Sequence, residues 1–124
     1  MSGDSYGDAV LNCNTIADNV SATGSVYSGV YGYMEMYNNI VSFNSSGIIK
    51  GTNATVSQIA SYTGDPLFVN RSAGDYQLSS GSACINAADE ASAPADDYFG
   101  YSRSDPDIGC YEYGAGPVGY PVAP

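Results

Sequence analysis

Residues 11–19 read LNCNTIADN and residues 36–44 read MYNNIVSFN, and the two stretches match when they are aligned 25 residues apart. The alignment superposes two pairs of asparagines: Asn14 on Asn39, and Asn19 on Asn44. A period of this length is typical of a solenoid, in which each turn of the chain buries its apolar face against the next turn. At this period a chain of 124 residues has room for about four or five turns.

The repeated asparagines have two interpretations. Asparagine tolerates turn conformations, and its side chain can bond backbone groups, so the pairs predict hydrogen-bonded ladders at the corners between strands. The alternative is that these side chains contact a ligand.

Residues 26–40, VYSGVYGYMEMYNNI, alternate between apolar and tyrosine-rich positions. One parity carries Val26, Val30, Met34 and Met36, and the other carries Tyr27, Tyr31, Tyr33, Glu35 and Tyr37. Because successive side chains of a strand point to opposite faces, the pattern predicts an apolar inner face and a tyrosine-lined outer face. Tyrosine suits a half-exposed strand surface in any case. The alternative is an interaction face that stacks on sugar rings or on another copy of the protein.

The composition is typical of a secreted β protein, with 15 Gly, 12 Tyr and no His or Trp. Thirteen acidic against three basic residues give a net charge of −10, which argues against binding to a nucleic-acid backbone. No apolar run is long enough to span a membrane. Residues 1–10 lack the basic and apolar segments of a signal peptide, so we expect a fragment or another export route. We assign residues 1–113 to a single domain and 114–124 to a Gly/Pro-rich tail.

Four stretches in the second half of the chain carry a resemblance to a known family. They are GDPLFVN (64–70), GDYQLSSGSACINAADE (74–90), DYFGYSR (97–103) and PDIGCYEY (106–113). In this order, after the repeats above, they resemble the C-terminal part of secreted right-handed parallel β-helix proteins of the pectin-lyase-like superfamily. Within it, the nearest resemblance is to bacterial surface proteins of the choice-of-anchor Q type.

The resemblance covers about residues 10–113 and implies a fold and a location. The fold is an all-β, short right-handed parallel β-helix of about four or five coils, with a C-terminal closing segment that covers the last coil. The location is extracellular or on the cell surface. The resemblance implies no particular reaction, because one fold hosts lyases, hydrolases, adhesins and inert stalks. Two positions depart from the family: Ala88 stands where Gly is usual, and Asn70 where Asp is common.

The resemblance also implies a disulfide bond between Cys84 and Cys110, because both lie in the C-terminal motifs of a protein expected in an oxidising compartment. The alternative is that both are buried free thiols. Cys13 lies inside the first repeat, and we expect it to be a small buried apolar side chain.

Acidic residues concentrate near the carboxyl end, at Asp89, Glu90, Asp96, Asp97, Asp105, Asp107 and Glu112. We expect Arg103 to pair there with Asp97 or Glu112 through charge-assisted hydrogen bonds. The sequence predicts no cofactor and no metal. The alternative is a calcium site that uses Asp89, Asp96 and Asp97, since calcium takes about six to eight oxygen ligands.

The sequence predicts no catalytic residues. A cysteine nucleophile needs a base, the chain has no histidine, and its three basic residues lie in separate segments. We therefore expect a non-catalytic extracellular module that is structural or mediates interactions. The alternatives are a fragment of a carbohydrate-active enzyme (a polysaccharide lyase or a glycoside hydrolase, with Asp96 and Asp97 as carboxylates) and a binder of neutral glycans through the tyrosine face.

Self-association is the expected interaction, because a first coil without a cap exposes unpaired backbone groups to another copy. The product is then a dimer or a filament, or the chain forms the end of a larger surface protein. Polysaccharide is the other expected partner. Four N-x-S/T sequons, at Asn19, Asn44, Asn53 and Asn70, are candidate glycosylation sites in a host that glycosylates.

Overall fold

The computed structural model describes residues 7–21, 24–27 and 31–114 of the chain. Nine strands and one short 3₁₀ helix, Arg71–Ala73, form this part, so the predicted all-β class is confirmed. The strands are β1 (Gly7–Asn12), β2 (Thr15–Ala17), β3 (Val26–Tyr27), β4 (Tyr31–Tyr37), β5 (Ile40–Ser42), β6 (Ile48–Ile49), β7 (Asn53–Ile59), β8 (Phe68–Asn70) and β9 (Asp75–Leu78). No helix in these ranges is long and apolar enough to cross a membrane.

Strands from successive repeats pair in parallel. β1, β4 and β7 form a three-stranded sheet in that order, β2 pairs with β5, and β3 pairs with β6. Leu11 of β1 lies opposite Met36 of β4, so the 25-residue offset of the sequence repeat is also the register of this sheet. The next turn is shorter, because Tyr31 of β4 lies opposite Asn53 of β7, an offset of 22 residues (53 − 31).

The apolar parity of the β3–β4 region faces the interior. Met34 and Met36 are buried while Tyr27 and Tyr33 are exposed, which confirms the predicted alternation for these residues; Val30 lies outside the described ranges. The buried side chains form one cluster with partly buried neighbours from the adjacent strands: Val26, Met34, Met36 and Val41, with Leu11, Ile16, Ile48 and Val56. Each such side chain contributes about 1.5–3 kcal/mol when it is fully buried.

Single residues with a left-handed backbone conformation end the strands. Cys13 and Asn38, with φ of 55° and 62°, directly follow β1 and β4. Asp18 and Phe43, with φ of 57° and 60°, follow β2 and β5 in the same way. A non-glycine residue costs about 1–2 kcal/mol in this conformation, and the pairing of the strands on both sides holds it there. The corners of successive turns are therefore stacked in rows.

From residue 65 the chain leaves the repeat. β8 and β9 form an antiparallel hairpin, and turns follow up to residue 114. The largest sheet in the described ranges thus has three strands, fewer than the four or five coils expected, because the chain after residue 65 forms the hairpin and these turns. In the turn that contains Ala88, the residue with positive φ is Asn86, so a glycine at 88 is not needed for that purpose.

The closing segment, residues 106–113, lies along the row of corners. The amide of Gly109 donates to the Asn38 carbonyl (2.8 Å), and the amide of Cys110 donates to Thr15 Oγ1 (3.1 Å). Ile108 packs in a second apolar cluster with Ile40 and residues of the later turns. The segment therefore ties the first and second turns together from the side, whereas the sequence predicted that it covers the last coil. Gly109 has φ of 100°, and a Cβ there would lie 2.6 Å from Ile40 Cδ1, so this close approach requires glycine.

Candidate functional site

The paired asparagines lie one above the other at two rows of corners. Asn39 Oδ1 accepts hydrogen bonds from the amide and the Nδ2 of Asn14 (2.9 and 3.0 Å), and Asn39 Nδ2 donates to the Leu11 carbonyl (2.8 Å). Asn44 makes the equivalent three bonds at the next corner. Each side chain thus satisfies backbone groups that the corner removes from strand pairing.

The tyrosines proposed as an interaction face do not share one sheet. Tyr27 belongs to the β3–β6 sheet, whereas Tyr31, Tyr33 and Tyr37 belong to β4 in the three-stranded sheet. Tyr33 is exposed and its hydroxyl donates to Glu35 Oε2 (3.2 Å), Tyr37 is half-buried, and the side chain of Tyr31 lies outside the described part. Tyr27 thus lies on a different sheet from the other three, because the same parity continues in the sequence while the chain passes to another sheet; the interaction face itself stays a prediction.

Among the described residues, β1 has one edge without a partner strand, and this edge is a candidate for an interaction. Within the described ranges β1 pairs with β4 alone. The amide of Cys13 donates to the Tyr37 carbonyl of β4, and because the direction of backbone groups alternates along a strand, the N–H of Val10 points away from β4. Val10 is 64% exposed. A donor for an added strand is thus present at this edge.

Arg103 holds the closing segment down. Its side chain is 2% exposed and donates to Glu112 Oε1 (3.0 Å) and to the carbonyls of Asp107 and Gly109 (3.1 Å each). The predicted pairing with Glu112 is confirmed. Asp97 instead accepts from three backbone amides, those of Phe99, Tyr101 and Glu112.

Two carboxylates of this cluster have raised pKa values. Burial raises the pKa of Asp107 above its ordinary 3.8, although the amides of Asn86 and Tyr113 donate to it. Burial likewise raises the pKa of Glu112 above its ordinary 4.5, against the opposing effect of the Asp107 amide and Arg103. Both groups therefore bind protons more tightly in the folded state than in the unfolded state.

We expect the protein to become more stable as the pH falls from 7 towards 4.5. The contribution of a carboxyl with a raised pKa is fully present below its unfolded value and is lost as the pH rises through its folded value. The contribution of Asp18 to stability has the opposite pH dependence, because the hydrogen bond from Arg71 lowers the pKa of this carboxyl. That contribution is lost only when the pH falls below the ordinary pKa of 3.8. Melting temperatures measured from pH 4.5 to 7 in high salt, which screens the −10 charge, should fall as the pH rises.

The double variant Asp107→Asn, Glu112→Gln is the control for this pH dependence. It removes both titrating groups and should flatten the curve. A wild-type melting temperature that rises steadily with pH over this interval would contradict the assignment of these two carboxyls.

The structure holds Cys13, Cys84 and Cys110 as free thiols, so the pairing of Cys84 with Cys110 is not confirmed and stays a prediction. Cys84 is fully buried, and burial raises the pKa of its thiol to about 11. The amide of Ile108 donates to the Cys84 carbonyl, which brings the two motifs together. Burial also raises the pKa of the Cys13 thiol.

Peptide mapping without reduction, on protein exposed to an oxidised glutathione buffer, should recover one linked pair of peptides that contains Cys84 and Cys110, with Cys13 alkylated as a free thiol. Recovery of a Cys13–Cys110 peptide would overturn this pairing. Three alkylated thiols in the oxidised sample would do the same.

The calcium candidates are not gathered around a common point. Asp97 is buried and bonded to amides, Asp96 is exposed, and Asp89 accepts from the Ser92 hydroxyl. In the part of the chain that the structure describes, no three acidic or cysteine side chains are grouped so that they could hold a metal ion. Asp96 and Asp97 are also the two carboxylates of the hydrolase alternative, and they differ in the same way, since Asp96 is exposed and Asp97 is buried.

The four sequon asparagines differ in their surroundings. Asn53 and Asn70 are exposed on strands, whereas the Nδ2 atoms of Asn19 and Asn44 are already donors in the corner ladder. A glycan at either of the latter two replaces one of the two Nδ2 hydrogens, so the ladder bond has to use the one that remains.

One surface of the structure is not indicated by any sequence motif. The β8–β9 hairpin lies against the corners that follow β2 and β5 and brings five side chains together. We call these five residues the hairpin surface: Asp18, Phe43, Phe68, Arg71 and Tyr76. Asp18 and Phe43 occupy equivalent positions of the repeat, 25 residues apart, so their proximity could have been found from the sequence. The position of Arg71 could not have been found in this way.

Comparisons with protein-family models, with curated proteins and with solved structures find no match.

Proposed function

We propose that this chain is a short right-handed parallel β-helix and acts as a non-catalytic extracellular module, structural or mediating interactions, that self-associates through the free edge of β1. If this module is the end of a larger surface protein, the β-helix of that protein joins it at the same edge. The observation that carries the proposal is the outward-pointing N–H of Val10 on a strand that, among the described residues, has a partner on one side only.

The strand order supports the β-helix. In the described ranges the first two turns each supply one strand to the three-stranded sheet and one shorter strand to each of two others, the third supplies β7, and these strands all pair in parallel. The apolar side chains of these strands meet in one cluster between the sheets. The right hand follows from the general rule that parallel strands in one sheet are joined by right-handed connections.

Open strand edges support self-association. Unpaired N–H and C=O groups at an edge are a template for another strand. β7, at the opposite edge, also pairs with β4 alone among the described residues, and the closing segment lies along the corners instead of along β7. Addition of β1 of one copy to β7 of the next continues the parallel sheet and gives a filament, while a two-fold contact between β1 edges gives a dimer.

Val10→Pro should weaken self-association at least tenfold. Proline removes the outward N–H and is tolerated at an edge, because the bonds between β1 and β4 use other residues. Light scattering and sedimentation over a wide concentration range measure the association constant.

Val20→Pro is the matched control, since Val20 is 93% exposed and lies outside the strands. Its association should equal that of the wild type. Equal association of the Val10→Pro variant, with an unchanged circular dichroism spectrum, would count against the β1 edge as the contact.

A further inference from the structure

The hairpin surface contains a guanidinium group that is fixed in position at the protein surface. Arg71 Nε donates to both carboxylate oxygens of Asp18 (2.8 and 3.0 Å), and the guanidinium carbon lies 3.7 Å from the centre of the Phe43 ring. The Tyr76 hydroxyl donates to Asp18 Oδ2 (2.9 Å), and Phe68 contacts the rings of both Phe43 and Tyr76. An arginine held by an ion pair and a ring loses little side-chain freedom when it binds something further.

Two cavities adjoin this guanidinium. One has a volume of 220 Å³ and is lined by Phe43, Asp65, Leu67, Phe68 and Arg71. The other has a volume of 380 Å³ and is lined by Asp18, Arg71, Ser72 and Tyr76. Among the described residues the Nη groups of Arg71 donate to no protein acceptor, since both of its bonds use Nε. Arg71 therefore presents donors between two cavities, each lined by both aromatic and polar side chains.

The chemistry of the lining favours a ligand that has an apolar face and hydroxyl groups. Phe43, Phe68 and the exposed Leu67 offer apolar area, which suits the C–H face of a pyranose ring. Arg71 donates and the carboxylates of Asp18 and Asp65 accept. The hydroxyl oxygens of Ser72 and Tyr76 also accept, because their protons are already donated to Asn70 Oδ1 and Asp18 Oδ2. Vicinal sugar hydroxyls need donors and acceptors side by side, and a few placed polar groups in an apolar cavity give such a site its specificity.

Charge favours a neutral ligand. Asp18 neutralises Arg71, since the hydrogen bond from Arg71 holds the pKa of this carboxyl below its ordinary value. The protein as a whole carries a charge of −10, which repels polyanions such as uronate chains.

We propose that the hairpin surface binds a neutral oligosaccharide, with one sugar ring in the cavity beside Phe43 and Phe68, the next in the cavity beside Tyr76, and Arg71 between them. This site is separate from β1 and from the tyrosines of β4, and it does not depend on self-association.

The test is a titration followed by nuclear magnetic resonance, in which the Arg71 Nε–H signal and the ring signals of Phe43 and Tyr76 are followed. The probes are cellohexaose, maltohexaose, mannohexaose and hexagalacturonate, each added up to millimolar concentration. We expect at least one of the three neutral hexaoses to shift these signals and hexagalacturonate to leave them unchanged. No shift with any neutral hexaose, or stronger binding of hexagalacturonate, would overturn the proposal.

Two variants locate the site. Arg71→Lys keeps the charge opposite Asp18 but loses the planar donors, and Asp65→Asn removes a charged acceptor while its amide oxygen can still cap the Leu67 amide, as Asp65 does now (2.9 Å). Each should weaken binding of the responding hexaose at least tenfold, with the remaining spectrum unchanged. Tyr33→Ala, on the exposed face of β4, should bind as the wild type does. If Tyr33→Ala loses binding while both site variants keep it, the sugar binds elsewhere and the proposal is wrong.

Discussion

Replacing Arg103 by methionine should lower the free energy of unfolding by about 3–5 kcal/mol, the cost typical of removing one partner from a buried ion pair. The substitution leaves the Glu112 carboxylate, only 8% exposed, without its cation, and leaves the carbonyls of Asp107 and Gly109 without a donor. Methionine fills a similar volume, so the loss comes from the charges and the hydrogen bonds and not from a cavity. Urea denaturation followed by circular dichroism measures it.

Arg71→Met is the matched control for this experiment. Arg71 also pairs with one carboxylate, but its side chain is 45% exposed, and exposed pairs contribute little because water and salt screen them. We expect a much smaller change for this variant. Equal losses for the two variants would contradict the role of Arg103 in holding the closing segment on the first two turns.

Replacing Asn39 by alanine should cost about 3 kcal/mol, because it removes three hydrogen bonds made by a fully buried side chain. The amide and side chain of Asn14 lose an acceptor and the Leu11 carbonyl loses a donor, and each such bond contributes about 0.5–1.5 kcal/mol. Asn39 is fully buried, so water does not replace these bonds. Urea denaturation is again the measurement.

Asn44→Ala provides the comparison, since Asn44 makes the same three bonds one corner further on. Asn44 is only half-buried and Asn19 is exposed, so water can take over and the cost should be about 1 kcal/mol. If the two variants lose equal stability, burial does not decide the strength of the ladders.

The repeat and its asparagines were predictable from the sequence because both depend on local rules. Because Asn39 and Asn44 bond the asparagines at the same places in the turn before, the match between residues 11–19 and 36–44 sets the register of β1 against β4. The alternation of Met34 and Met36 with Tyr33 follows likewise from the geometry of a single strand.

What could not be predicted depends on contacts between distant segments. The connection from β4 to β7 is three residues shorter than the one before it (25 − 22) and carries no matching asparagine, so the sequence repeat does not indicate β7. The hairpin's contact between Arg71 and Asp18 joins residues 53 positions apart without a repeat to indicate it. The sequence also did not show that Tyr27 belongs to a different sheet from Tyr33, since parity along the chain does not show where one sheet ends and the next begins.

The most direct test of self-association through the β1 edge is hydrogen exchange of two neighbouring amides, those of Val10 and Leu11, measured at low and at high protein concentration. The N–H of Leu11 points towards β4, by the same alternation that points the N–H of Val10 outwards, and should be protected at both concentrations. The N–H of Val10 should exchange rapidly in dilute solution and become protected as the concentration rises. A Val10 amide that exchanges equally fast at both concentrations, in a protein that stays monomeric, would contradict the account.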